Sequence, residues 1–381
     1  MPIQNEKPYR VYRQSRRVRG DGAIPWDEVA DGPRLRGPKG ARAPRKLLRL
    51  LRRVIFVAVA VAIVWSTIAF LSFRSAVKER NDALPESVRA VLAPTDGPAL
   101  AASQVTLLVG ADTSSHRQNV DMEKREDARA DTLILMRTDV PSRTVSMLSI
   151  PRDLWVPIPG SRNGEGRINE AYSIGGLEKS IVTVRELTGI EINHVMQIDF
   201  DGFREIVDEL GGITIDNPSF LASQRNHPFD GLDWAFKKGE IELNGYGALA
   251  YARMRYTTDP KQADDRARGL RQQRVIDAIV SEIASPATLR RPRGVPQAVV
   301  KPLLTDVSAS EMLSFGFGKW WSKGDNNLRC RLGGDNGYRG DDNALVLVPV
   351  PENRATVRMF LGDQKPVAPD SDFGPGCIKG S

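Results

Sequence analysis

The chain has 381 residues, 41% of them hydrophobic, with 54 Lys+Arg against 47 Asp+Glu, 3 His and 2 Cys, enough for two ordinary domains or one large domain with tails. A net charge of +7 invites a nucleic-acid reading, but residues 1–53 hold 15 basic and 5 acidic side chains, leaving 39 against 42 for the remainder. The surplus belongs to the tail, so a basic nucleic-acid-binding domain is excluded for the rest, and no nucleic-acid partner is expected.

Residues 1–53 form a basic tail whose first 44 positions are rich in Arg, Gly and Pro without apolar periodicity, the composition of a disordered segment suited to anionic lipid. Val54 to Phe73 then runs for 20 residues without a charged side chain, long enough to cross a bilayer core of roughly 30 Å as a helix. A buried core helix would show a polar face, and the apolar region of a signal peptide spans only about 7–15 residues near the terminus. Arg45, Lys46, Arg49, Arg52 and Arg53 precede the run, against Arg74 and Lys78 after it. This asymmetry predicts a single-pass membrane protein with a cytoplasmic N-terminus and everything beyond residue 74 outside the cytoplasm. Residues 74–104, with Leu84-Pro85 and Ala93-Pro94, read as a spacer.

From residue 105 short apolar runs alternate with helical patterns. Val105 to Val109, Thr132 to Arg137, Thr144 to Ile150 and His194 to Phe200 read as strands. Gly176 to Leu187, Asp201 to Leu210 (closed by Gly211-Gly212) and Asp265 to Ala284 read as helices. The alternation predicts an α/β fold, a central sheet covered by helices. The main domain spans 105–283. Beyond it, in 284–381, Ser308 to Trp320 and Asn353 to Leu361 read as helices and Ala344 to Val350 as a strand. The part from residue 297 is either an appended unit or a continuation of the main domain. Cys330 and Cys377, both on the exported side, either pair in that oxidising compartment or stay free.

No phosphate loop G-x-x-x-x-G-K-[ST], H-E-x-x-H, G-x-S-x-G or paired C-x-x-C is present. His116, His194 and His227 lack ligand spacing, and His194 reads as structural. What remains is arginine at the ends of predicted elements. Arg253 and Arg255, two positions apart, share a side of an extended backbone. Asp265, Arg268, Arg271 and Gln272 fall along one helical face, an arrangement equally suited to a surface ion-pair row. Arg152 follows a strand in Ile150-Pro151-Arg152-Asp153. Guanidinium groups present a planar fork of donors to phosphate oxygens and stay charged, so this set suits a pyrophosphate. Asp112 and Asp131, at strand ends, are either Mg2+ ligands or turn and cap residues.

The succession Leu107 to Asp112, Arg129 to Thr132, Ser149 to Asp153, Gly166 to Asn169, Ala171-Tyr172, Asp199 to Phe203, Leu210 to Gly212, Leu243 to Gly245, Ala250 to Arg255 and Arg268 to Gln273 resembles the LytR-CpsA-Psr domain in order and spacing. The resemblance implies a central mixed β-sheet flanked by helices behind one membrane helix. It also implies a phosphotransferase that moves a phospho-linked glycopolymer from a polyprenyl pyrophosphate carrier to the muramic acid C6 hydroxyl of peptidoglycan. By position, Arg152, Arg253, Arg255, Arg268 and Gln272 would hold the pyrophosphate, with Arg271 and Arg167 as further candidates. Asp112 and Asp131 would ligate Mg2+, with Mn2+ as an alternative. Asp153 would either orient Arg152 or accept the hydroxyl proton. Two positions depart from the family pattern: Arg167 stands where lysine is frequent, and Ala130 where serine is. Two further readings compete: a pyrophosphatase acting on the same lipid, and a non-enzymatic membrane regulator.

Overall fold

The computed structural model describes residues 45–95, 97, 102–111, 129–224, 231–259, 265–283, 299–314, 327–340, 343–370 and 374–380. The chain divides into two units, Met1–Ala60 and Val61–Ser381. Helix α1, Arg45–Asp82, contains the apolar run, and Val54 to Val64 are exposed. It is long and apolar enough to cross a membrane. The helix continues nine residues beyond Phe73, into the stretch expected as a spacer. Residues 74–82 contain neither Gly nor Pro, and Lys78 pairs with Asp82 one turn on. Helix α2, Glu86–Ala90, follows directly on Pro85.

Seven strands form the central sheet in the order β11-β6-β1-β2-β3-β12-β15. They are β1 (Ser103–Ala111), β2 (Ala130–Asp139), β3 (Thr144–Ile150), β6 (His194–Ile198), β11 (Leu304–Thr305), β12 (Leu328–Arg331) and β15 (Gly376–Lys379), while β4 (Trp155–Pro157) pairs with β5 (Glu165–Arg167) and β8 (Leu221–Ala222) with β9 (Ala235–Phe236) outside it. The sheet is mixed: β1 pairs antiparallel with β2 and parallel with β6, while β3 pairs antiparallel with β2 and parallel with β12. Leu107, Leu133, Leu135 and Leu148 are buried in one core cluster with Ile181 and Val184 of α3, Glu170–Thr188. Losing any one of these large aliphatic side chains to alanine would cost about 2–5 kcal/mol.

Helix α3 begins six residues before the expected Gly176, and the helix breaks at Gly175 and Gly176, where Gly176 takes φ 62°. The glycine pair that suggests a start is a kink between two helical segments. The strand from His194 ends at Ile198, earlier than expected, because Asp199 caps α4, Phe200–Leu210, accepting from the Gly202 N–H at 2.7 Å. His194 is buried, its Nδ1 2.7 Å from Asp306 Oδ2.

A second core cluster joins Ile206, Val207, Ile213, Ile241, Tyr251 and Val275. It lies among α4, the ribbon of β7 (Ile213–Asn217) with β10 (Gly239–Leu243), and helices α5 and α6. Helix α5, Gly245–Arg253, takes in Arg253, where extended backbone was expected from Arg253 to Arg255; Asn244 caps it by accepting from the Gly247 N–H at 2.8 Å. Helix α6 spans Asp265–Ile283.

The C-terminal residues complete the same sheet. Strand β12 lies parallel to β3, and β15 lies on its outer side. Cys330 and Cys377 are register partners across these two strands and form a disulfide. The Gly- and Asp-rich section becomes β13, Gly334–Arg339, in a hairpin with β14, Ala344–Pro349. Leu347 of β14 donates its N–H to the Asp153 carbonyl at 2.9 Å. Helix α7, Asn353–Leu361, follows.

Candidate functional site: an arginine-lined cavity

Antiparallel pairing brings the start of β2 beside the end of β3, with Leu133 opposite Ile150. Asp131 and Arg152, 21 positions apart, therefore meet. Arg152 Nη1 lies 2.5 Å from Asp131 Oδ1, and the other carboxylate oxygen takes Arg253 Nη2 at 3.3 Å. Arg253 closes α5, and its guanidinium carbon sits 3.8 Å from the centroid of the Phe200 ring, within cation-π range. Helix α6 brings Arg268 and Gln272, one turn apart. Gln272 Nε2 donates to Thr132 Oγ1 at 3.1 Å. Gly110 faces Thr132 across β1 and β2, where a Cβ would approach the Thr132 Cβ to 3.0 Å, so the glycine leaves that side chain its room.

These groups surround a cavity of about 300 Å3 lined by Asp131, Thr132, Arg152, Phe200, Arg253, Met254, Arg255, Tyr256, Arg268 and Gln272. Arg255 and Tyr256 are exposed. Four guanidiniums thus share the lining with one carboxylate, a strong attraction for a multivalent anion. Burial, aided by the charge of Arg152 and opposed by Asp153 and Asp131, lowers the pKa of Arg268 to about 10. A second, small chamber shares Asp131, Thr132, Arg152, Arg268 and Gln272 with the main cavity and adds Ser149 and Arg331. A groove of about 700 Å3 near the end of α1 mixes Arg74, Lys78 and Arg89 with Asp82 and Glu86 and lacks this one-signed lining.

The remaining predicted residues lie elsewhere. Arg271 is a correction: it is 1% exposed and absent from both linings, donating Nε to the Tyr251 carbonyl at 3.0 Å and Nη2 to the Met254 carbonyl at 2.5 Å. It binds the end of α5 to α6. Arg167, on β5 (Glu165–Arg167), is 3.4 Å from Glu170 Oε1 and is also absent from both linings. Asp153 Oδ2 lies 3.4 Å from Arg152 Nε, and Asp153 is in neither lining. Asp112, His116 and His227 lie outside the described residues. Ala111, the residue before Asp112, is the register partner of Ala130, the residue before Asp131. Among the described residues, no group of three or more His, Cys, Asp or Glu could hold a metal.

Sequence reasoning missed Phe200, Thr132 and Arg331. Phe200 reads as an ordinary core aromatic. Arg331 carries a usable signal, because it shares a strand face with Arg329 in Leu328-Arg-Cys-Arg331.

Fold and cavity together define an α/β protein with an arginine-lined cavity at the end of its central sheet. The chain belongs to the LytR_cpsA_psr family, whose model matches residues 69–326. It is 32% identical over 254 residues to the polyisoprenyl-teichoic acid–peptidoglycan teichoic acid transferase TagV of Bacillus subtilis, covering 66% of this chain and 63% of that protein. It is 35% identical over 195 residues to the TagU transferase of the same description from Halalkalibacterium halodurans, covering 50% and 60%. The chain thus spans about three fifths of the length of these relatives. The crystal structure of B. subtilis TagV aligns with a TM-score of 0.56 and 28% identity, covering 69% of this chain and 98% of that one.

Proposed function

We propose that this chain is a membrane-anchored phosphotransferase that moves a phospho-linked glycopolymer from a polyprenyl pyrophosphate carrier to peptidoglycan, with its N-terminus cytoplasmic and its α/β domain outside. The observation that carries the reading is the convergence of Arg152, Arg253, Arg255 and Arg268 on one cavity with a single lining carboxylate, in a chain of this family. The acceptor sugar hydroxyl attacks the glycan-side phosphorus, a new P–O bond forms, and the bond to the bridging oxygen breaks. The electron pair departs with polyprenyl phosphate, and the hydroxyl proton passes to solvent. Phosphoryl transfer of this kind depends mainly on positioning and charge neutralisation, which the guanidiniums supply.

The Asp131 carboxylate is a hard oxygen donor of the sort that holds Mg2+ or Mn2+ jointly with substrate phosphates. In this reading Asp131, with Asp112 by family position, would hold the ion, which when bound would offset diphosphate charge. Arg152 and Arg253, now on Asp131, would then serve the phosphates. Arg255 lies toward the open side of the same lining, and Gln272 fixes Thr132.

The test compares Arg253→Ala with deletion of residues 1–44 in a transfer assay on the full chain. Loss of at least about 100-fold for Arg253→Ala, the scale for removing a transition-state donor, with little change on deletion, is the expected result. The reverse pattern would make the chain a regulator acting through its tail.

A further inference from the structure

Helix α1 does not stop where its apolar run stops. Beyond Phe73 it continues to Asp82, and this extension packs against the 299–314 segment. Val77 is 2% exposed in a cluster with Val300 and Ala309. Arg80 Nε donates to the Leu303 carbonyl at 2.9 Å, and Asn81 Nδ2 donates to the Asp306 carbonyl at 3.1 Å. The groove of about 700 Å3 at this junction, lined by the end of α1, by α2 and by Ser308 to Ser310, is therefore fixed to the point at which the apolar run ends.

Phe70, Arg74, Lys78 and Asp82 line the groove at steps of four residues. They share one helix face and follow one another about 6 Å apart along the axis. The face thus changes in order from apolar to cationic to anionic, and Glu86 of α2 adds a second acid. Lys78 Nζ lies 2.5 Å from Asp82 Oδ2, and Arg89 donates to the Asn81 carbonyl. Neither Arg74 nor Glu86 has an ion-pair partner among the described residues. A phospholipid with an ethanolamine headgroup has the same order along the bilayer normal: acyl chains, then phosphate, then a primary ammonium. With the N-terminus cytoplasmic, α1 runs outward from Phe70 to Asp82, in the same direction as that order. A diphosphate or a purely anionic headgroup would meet Asp82 and Glu86 as like charges. A choline headgroup has no N–H to donate to them.

We propose that this groove binds the headgroup of a phosphatidylethanolamine-type lipid, with the phosphate between Arg74 and Lys78 and the ammonium at Asp82 and Glu86. The proposal rests on the membrane-anchored reading and its orientation, and it is independent of the arginine-lined cavity. A lipid held there ties the domain to the bilayer surface beside α1, so the anchor and its first extracytoplasmic turns act as one unit.

The experiment is native mass spectrometry of the full chain, released from detergent after incubation with equal amounts of phosphatidylethanolamine, phosphatidylglycerol and phosphatidylcholine. Phosphatidylethanolamine should be retained about threefold or more above each of the others, the scale of an exposed ion pair. Arg74→Gln should lose about fivefold of that retention, the contribution of one basic side chain at a headgroup surface. Glu86→Lys should reverse the preference in favour of phosphatidylglycerol. Both side chains are exposed, so melting temperatures should stay near that of the wild type. Equal retention of the three lipids by the wild type overturns the proposal, as does an unchanged preference in either variant; if one variant does not fold, the other decides. Flotation of the full chain with vesicles of phosphatidylethanolamine and phosphatidylglycerol separates the two claims. A chain that does not float ends the anchored reading and this proposal with it, whereas a chain that floats without the lipid preference loses only the groove.

Discussion

Arg268 and Arg271 sit three positions apart on α6 yet meet different surroundings. Arg268 lines the cavity, and burial together with Arg152 brings its pKa down to about 10. A bound diphosphate favours the charged guanidinium, so binding takes up a proton when Arg268 is neutral. Pyrophosphate affinity should therefore be level at lower pH and fall as pH rises through about 10; titrations between pH 8 and 11 would show it, and a flat profile would remove Arg268 from the contact. Arg271 instead satisfies two backbone carbonyls at the end of α5. Replacing it with Met leaves those acceptors buried without this donor, at about 1–3 kcal/mol each. The expected outcome is a clear drop in the denaturation midpoint; a midpoint within experimental error of wild type would contradict the clamp. Helical spacing placed Arg268, Arg271 and Gln272 near one another but could not tell the cavity side from the buried side. That distinction depends on where α5 ends, which is a tertiary fact.

At the scale of elements, the strands were the most legible part. Thr144 to Ile150 matches β3 end for end, and Asn353 to Leu361 matches α7, because alternation and apolar periodicity are local signals. Helix α5 was not legible. Gly245 and Gly247 lower its helix propensity, and it is held by the Asn244 cap and by burial of Leu249 and Tyr251. Its presence changes the basis on which Arg253 and Arg255 reach one cavity: one ends a helix, and the other lies two residues on, outside any helix or strand. The join of β12 and β15 to the sheet was equally hidden, since sequence shows neither the parallel partner of a four-residue strand nor its place at the sheet edge. The Cys330–Cys377 link closes a separation of 47 residues, worth on the order of 4 kcal/mol in chain entropy. Melting the chain with and without a reductant should show a marked fall on reduction. Equal midpoints, with the thiols verified as free, would make the link unimportant to stability.

Across the whole molecule, charge is divided by function. The +10 of residues 1–53 precedes the apolar part of α1, while the remainder carries −3. A local basic cavity in a slightly acidic domain suits selective capture of one anionic group better than general polyanion binding. The basic tail beside an apolar helix suits retention at a membrane surface. Under the proposed function, such an anchor would keep a lipid-carried diphosphate available to the domain. The central claim is the transfer step, and the most direct measurement is phosphorus NMR of the products formed by the full chain from polyprenyl pyrophosphate-linked glycan and peptidoglycan oligomers. The predicted result is equal amounts of a glycan–peptidoglycan phosphodiester and polyprenyl monophosphate, both dependent on the peptidoglycan acceptor. Free phosphorylated glycan as the sole glycan product, formed equally well without peptidoglycan, would contradict the transferase and make the chain a pyrophosphatase.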